Sequence, residues 1–300
     1  MSLPCIAIMA PGDMRHAVGR VLREHGHDVV TCLAGRSART RGLAEVAGLR
    51  DVADLDTLVG EAAMVLSIVP PALAVRQAED MAAAMKRTGA SPVYVDCNAV
   101  SPQTMAEVAR AVEAAGAPLI DCAIIGTGPT PTNVPRFYVT GADTAPMTAL
   151  DGKGIEVIAL SGPAGRASAL KMAYAGLTKG TNALYTAVLM AAERMGLFDE
   201  LIAEFEHSQP AALKNMKACI SRLPADSGRW IREMEEIAAT FRAAGVPGDF
   251  HDGAAQVFRI LEQTPFAQET RQTIDASRTM EQSVKEFVRY LPGAREAADD

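Results

Sequence analysis

The chain has 300 residues, 49% of them apolar and 22% charged, close to globular averages, so a mainly disordered state is excluded. That length favours two domains over one. Thirty-six acidic against 29 basic side chains leave a formal charge of −7; this argues against clustered Lys and Arg on phosphates, and nucleic acid is not expected as a partner.

Residues 5–9 form a short apolar run ended by Pro11-Gly12, and 14–25 carries helical spacing at Met14, Val18, Val21 and Leu22. The start of the chain lacks a basic segment and reads as a strand, not a signal peptide. No apolar run reaches the roughly 18 residues of a membrane span, so a soluble cytoplasmic protein with no membrane partner is expected. Cys5, Cys32, Cys97, Cys122 and Cys219 are odd in number and scattered, the reduced pattern, and no pair has zinc-ligand spacing. No metal site is expected.

Further strand-like runs fall at 28–33, 64–69, 93–96, 119–124, 137–140 and 155–160, with helical stretches near 72–87 and 102–115 between several of them. Apolar strands interleaved with helices indicate an α/β fold, a doubly wound Rossmann-type parallel sheet covered on both faces. After Gly162 the pattern becomes all-helical. A long helix over 164–195 is interrupted only by Gly176 and Gly180, and helices recur near 199–221, 226–244, 250–262 and 267–290. The boundary is placed at 162, giving domains 1–162 and 163–300. In the second domain Trp230 reads as core through Met234 and Ile237. His251 reads as a helix-start residue facing solvent or the cap, and His16 and Lys179 as surface residues.

The first turn, Ala10-Pro11-Gly12-Asp13-Met14-Arg15, joins strand to helix. In a dinucleotide-binding fold this turn brings a pyrophosphate to the N–H groups of a helix start. The Gly-x-Gly-x-x-Gly pattern survives only at Gly12, where a side chain would most obstruct phosphate. Pro11, Gly12, Asp13 and Met14 are therefore the candidate contacts, and Arg15, in the third glycine's place, can reach toward phosphate. An NAD site usually places an acid at the end of the second strand. Here that tip is Gly35-Arg36-Ser37-Ala38-Arg39. Arg36 and Ser37 suit a 2′-phosphate, so NADP is expected, with NAD as the alternative.

Four further segments follow in order: Ser67-Ile68-Val69-Pro70-Pro71, Asp96-Cys97-Asn98-Ala99-Val100-Ser101-Pro102, Asp121-Cys122-Ala123-Ile124-Ile125-Gly126-Thr127, and Gly162-Pro163-Ala164-Gly165-Arg166-Ala167-Ser168-Ala169-Leu170-Lys171. Together they resemble the β-hydroxyacid dehydrogenase and 6-phosphogluconate dehydrogenase superfamily over nearly the whole chain, and more narrowly a bacterial branch with its own helical C-terminal domain. The resemblance implies that Val69, Pro70 and Asn98 lie beside the cofactor. It makes Lys171 the catalytic acid/base, and Asn98, Ser101, Gly126, Thr127, Tyr174 and Thr178 the residues that position a small-molecule substrate. It also implies a homodimer formed through the helical domain. Asn98, Ala99, Ile125 and Thr127 depart from the family pattern, and Tyr174 and Ala175 stand where it has an Asn pair.

On a helix, Lys171, Tyr174, Thr178, Asn182 and Tyr185 share one polar stripe while the other faces are apolar. Such a stripe is expected to line a cleft, and a partly desolvated lysine there can exchange a proton with a hydroxyl or carbonyl during hydride transfer. The reading is an NADP-dependent oxidoreductase interconverting a small polar hydroxy acid, or related alcohol, and its carbonyl. Two alternatives stand beside it. One is an imine reductase on the same scaffold, against which Lys171 counts. The other is a nucleotide-binding sensor that has lost turnover.

Overall fold

The computed structural model describes residues 3–9, 12–270 and 272–293. The chain divides into two compact units, Met1–Met172 and Ala173–Asp300, so the division falls within the long helix rather than at its start.

In the first unit the elements run β1 (Ile6–Ile8), α1 (Asp13–Glu24), β2 (Val29–Thr31), α2 (Ala38–Val46), β3 (Arg50–Asp51), α3 (Leu55–Glu61), β4 (Met64–Ser67), α4 (Ala74–Thr88), β5 (Val93–Asp96), α5 (Pro102–Glu113), β6 (Leu119–Ile125), β7 (Arg136–Gly141), α6 (Ala145–Thr148) and β8 (Glu156–Ala159). One eight-stranded sheet takes the order β3-β2-β1-β4-β5-β6-β7-β8. Alternate strand residues feed two apolar layers. Ile6, Ile8, Leu66, Val95, Ile120 and Cys122 pack with Val18, Val21 and Leu22 of α1 on one face. Ala7, Val65 and Tyr94 pack with Met81 and Met85 of α4 and Met105 and Val108 of α5 on the other.

The sheet is parallel except at β6 and β7, which pair antiparallel. Their connection, 126–135, contains no helix, and a parallel crossover needs a dozen or more residues, usually helical. The basic stretch after β2 runs straight into α2. Ser37 caps α2 by accepting from Thr40 N. The two-residue β3 is exposed and carries no periodic signal.

The second unit takes the rest of α7 (Arg166–Arg194), then α8 (Phe198–Ser208), α9 (Pro210–Cys219), α10 (Pro224–Ala243), α11 (Asp249–Glu262) and α12 (Met280–Phe287). No strand occurs among its described residues. The stretch 199–221 breaks at Pro210, whose ring cannot continue a helix. Among the described residues of 267–290 the only α-helix is α12. The irregular segment before it is held by Arg278, whose guanidinium meets both Glu269 oxygens at 2.6 Å and the Ser221 carbonyl at 2.8 Å and lies 3.8 Å over the Phe266 ring.

α10 packs on α11 through Trp230 against Phe258 and Phe241 against His251. His251 is thus buried, not solvent-facing; burial pushes its imidazole pKa down. Gly176 and Gly180 leave room for it, since a Cβ on Gly176 would stand 3.3 Å from His251, Ile237 and Phe241. Lys179 is not a plain surface residue either: it pairs with buried Glu233 and stands 5.6 Å from the Trp230 ring centroid.

Candidate functional site

Ser67 and Asp96 end β4 and β5, and Asp121 stands third in β6; the three are in register, Ser67 pairing with Asp96 and Asp96 with Asp121. All three are buried. Asp96 accepts from Asn98 N at 3.0 Å and from Asn98 Nδ2 at 2.7 Å. The same Nδ2 reaches Ser67 Oγ at 3.3 Å, and Asn98 Oδ1 accepts the Val69 N–H at 2.5 Å. Burial pushes the Asp96 carboxyl up to about 7, with the Asp121 charge adding to it and the Asn98 hydrogen bonds opposing.

Asn98 is therefore a tie between two strand ends, its amide engaged on both sides within the protein. Val69 is half-buried and Pro70 exposed, on a loop that this tie fixes. Ser101 is buried and caps α5, accepting from Thr104 N. Gly126 and Thr127 are exposed just after β6. Gly126 has φ +118, where a side chain would be strained. Thr127's carbonyl accepts from Asn133 Nδ2 at 3.1 Å. Tyr174 and Thr178 lie exposed on the second-unit part of α7, and Thr178 Oγ1 donates to the Tyr174 carbonyl at 3.3 Å. The helix is not otherwise buried as the stripe implied: Leu170, Leu177 and Leu184 are exposed as well.

Lys171 is set by the start of α7. Asp121 Oδ2 accepts from Gly165 N at 2.7 Å and Ser168 N at 3.1 Å, and Oδ1 from Ser168 Oγ at 2.7 Å. Thr140, its partner across β7, donates to Asp121 at 3.0 Å and accepts Ala167 N at 3.3 Å. The N–H groups that a helix start leaves without intrahelical partners are thus satisfied by strand side chains. One turn on, half-buried Lys171 donates from Nζ to the Ile124 carbonyl. Asp96, Asp121, Thr140 and Ser168 were not among the candidate site residues. Their signal was an ionisable or hydroxyl group inside an otherwise apolar run.

At the first turn, Pro11 lies outside the described residues. Gly12 is the N-cap of α1 in extended conformation and offers no side chain to the helix's first N–H groups. A Cβ there would fall 2.9 Å from Arg15 Nη2, so the Arg15 guanidinium lies across Gly12. Asp13 begins α1, and Met14 packs against the core. An uncapped helix start beside a guanidinium fits a pyrophosphate. At the tip of β2, Leu33 N donates to Asp51 at 2.8 Å and its carbonyl accepts from Arg41 at 2.6 Å. Arg36 and Ser37 are exposed at the start of α2, whose first turn has no acidic residue. The tip thus carries both exposed Arg36 and the Asp51 carboxyl.

Residues 6–151 match the NAD binding domain of 6-phosphogluconate dehydrogenase, and residues 192–261 match DUF1932, a domain of unknown function. An uncharacterised 28.5 kDa protein of Methanothermus fervidus is 29% identical over 213 residues, 70% of this chain and 79% of that protein. A conserved protein of unknown function whose structure resembles 3-hydroxyacid dehydrogenases is 26% identical, with TM-score 0.61 over 86% of this chain and 96% of that one. The 3-hydroxyisobutyrate dehydrogenase of Mycobacterium tuberculosis, solved with L-serine, shares the fold at 18% identity, with TM-score 0.64 over 94% and 98%. The chain thus joins a segment similar to the NAD binding domain of 6-phosphogluconate dehydrogenase, residues 6–151, to a DUF1932 segment, residues 192–261.

Proposed function

We propose that this protein is an NADP-dependent oxidoreductase that interconverts a small polar hydroxy acid, or a related alcohol, and its carbonyl, with Lys171 as general acid/base. The observation that carries the reading is the seat of Lys171: its ammonium is held on the Ile124 carbonyl. That carbonyl lies at the strand-end edge where open α/β sheets bind their ligands. Bound at the first turn, the nicotinamide cofactor supplies or accepts the hydride. Gly12 and the start of α1 hold its pyrophosphate, with Arg15 beside them, while Arg36 and the start of α2 hold the 2′-phosphate. Lys171 holds a proton at the substrate oxygen when the carbonyl is reduced and takes it back when the alcohol is oxidised. A second copy of the chain is the partner, covering the apolar side chains that α7 exposes.

The decisive experiment has two arms. Titration with NADPH and NADH is expected to favour NADPH, and Arg36→Ala to erase that preference; equal affinities in the wild type would refute the NADP assignment. Lys171→Ala is expected to keep cofactor affinity and lose roughly 10²–10⁴-fold in turnover, the usual worth of a positioned acid or base. Wild-type turnover in that variant would remove Lys171 from the chemistry.

A further inference from the structure

We infer that Asp121 is a positioning residue for Lys171, acting through Ser168, and that the β6 strand aims the lysine by gripping α7 at two points. This rests on the reading of Lys171 as acid/base. Asp121 is fully buried, and a buried carboxylate is tolerated only when its oxygens are satisfied. Its oxygens accept hydrogen bonds from Gly165, Ser168 and Thr140. Two of these residues belong to the start of the lysine helix, and the third also accepts from that helix at Ala167. A helix start is ordinarily capped by a side chain at its own N-cap position. Here the cap comes from a strand more than forty residues earlier, so it ties the helix to that strand rather than only finishing it.

The second grip repeats the spacing. Ser168 and Lys171 are three apart and so share one side of α7. Asp121 and Ile124 are three apart on β6. Ser168 meets the first strand residue by side chain, and Lys171 meets the carbonyl of the second. Freeing the first contact lets α7 rotate or shift at its start, and the lysine, one turn away, leaves the Ile124 carbonyl. Thr140 supports the grip by donating to Asp121 and accepting from Ala167 N.

The test needs no substrate. Trace acetylation of the full-length protein with acetic anhydride at a series of pH values, read by peptide mass spectrometry, gives the rate and titration midpoint of each lysine. Ser168→Ala and Asp121→Asn are expected to raise the Lys171 labelling rate at least threefold and to shift its midpoint. Lys179 and Lys285, paired with Glu233 and Glu281, should keep wild-type values, and NADPH affinity should be unchanged. Ser168→Thr, which keeps the hydroxyl, should restore wild-type labelling. Unchanged Lys171 labelling in a folded Ser168→Ala protein overturns the inference, and so does a uniform rise across all lysines. Should Asp121→Asn fail to fold, Ser168→Ala and its Thr rescue decide alone. Loss of the acid/base reading would appear instead as normal turnover in Lys171→Ala, which leaves these labelling results untouched.

Discussion

Asn98 donates to Asp96 through both its backbone N–H and its side-chain Nδ2, the latter at 2.7 Å, while its Oδ1 holds the Val69 N–H at 2.5 Å. The hydrogen-bond pattern fixes which end of the amide is which, because only oxygen can accept from Val69 and only nitrogen can donate to the carboxyl. The loop after β4, which carries Val69 and Pro70, thus depends on a carboxyl with no access to water.

The burial of that carboxyl makes stability fall as pH rises from about 4 to about 7. Asp96 titrates at about 7 in the folded protein against an ordinary 3.8. Between about pH 4 and 7 the native state keeps a proton that the unfolded chain has released, so each step upward favours unfolding until the folded carboxyl ionises. The full effect is on the order of a few kcal/mol. Asp96→Asn, neutral at every pH, should lose this slope. Melting temperatures of both proteins from pH 5 to 8 should therefore converge or cross, and parallel curves would show that Asp96 is not the group responsible.

Gly12→Ala should separate folding from cofactor binding. Gly12 has φ −135, ordinary for any residue, and the three atoms nearest an added Cβ all belong to the far end of the Arg15 side chain. Stability should change by less than about 1 kcal/mol, the usual size of a surface substitution. The methyl would nevertheless stand where a pyrophosphate must approach the backbone. NADPH affinity by isothermal titration should weaken roughly tenfold, about 1.4 kcal/mol. Unchanged affinity would place the phosphates elsewhere.

The two-layer sheet and the long helix were legible because fully apolar strands and a thirty-residue helical stretch leave few other arrangements. β3 was not, since two exposed residues such as Arg50 and Asp51 carry no periodicity. The stretch 267–290 looked helical by composition, but Arg278 and Glu269 form a tertiary pair that holds it irregular. In the site, Lys171 stood out through its motif. Asn98 and Ser101 lay in motif positions too, yet their polar atoms serve a strand tie and a helix cap, uses that only the fold reveals. The partners of Asp121 lie on β7 and α7, beyond the reach of any local pattern.

Substrate choice should depart from that of the relatives. Ala99 and Ile125 remove hydroxyls that the family pattern carries, Tyr174 replaces a compact amide, and no arginine falls within 96–102 or 121–128 to clamp a carboxylate. Turnover of 6-phosphogluconate and 3-hydroxyisobutyrate should be poor, with a bulkier or less anionic hydroxy compound preferred, and Tyr174→Asn should shift selectivity toward small hydroxy acids. Wild-type kcat/KM above the order of 10⁴ M⁻¹s⁻¹ for either compound would contradict this.

A second copy of the chain should cover α7. Leu170, Tyr174, Leu177 and Leu184 recur at spacings of three, four and seven, one helical stripe. Leu177 is 73% exposed, and Tyr174 and Leu184 are 48% exposed. Single exposed leucines are ordinary, but an aligned set on one helix is the kind of patch that marks an interface. Fully burying an exposed leucine is worth about 1.5–3 kcal/mol; Leu177 approaches that figure, and the half-buried Leu170 and Leu184 contribute less. Light scattering at micromolar concentration should give twice the 31.6 kDa chain mass. Leu177→Glu leaves the folded core untouched because the side chain is mostly exposed, and it should move the population toward monomer. A wild-type mass of one chain, or a Leu177→Glu protein that stays fully dimeric, would show that this stripe does not hold two copies together.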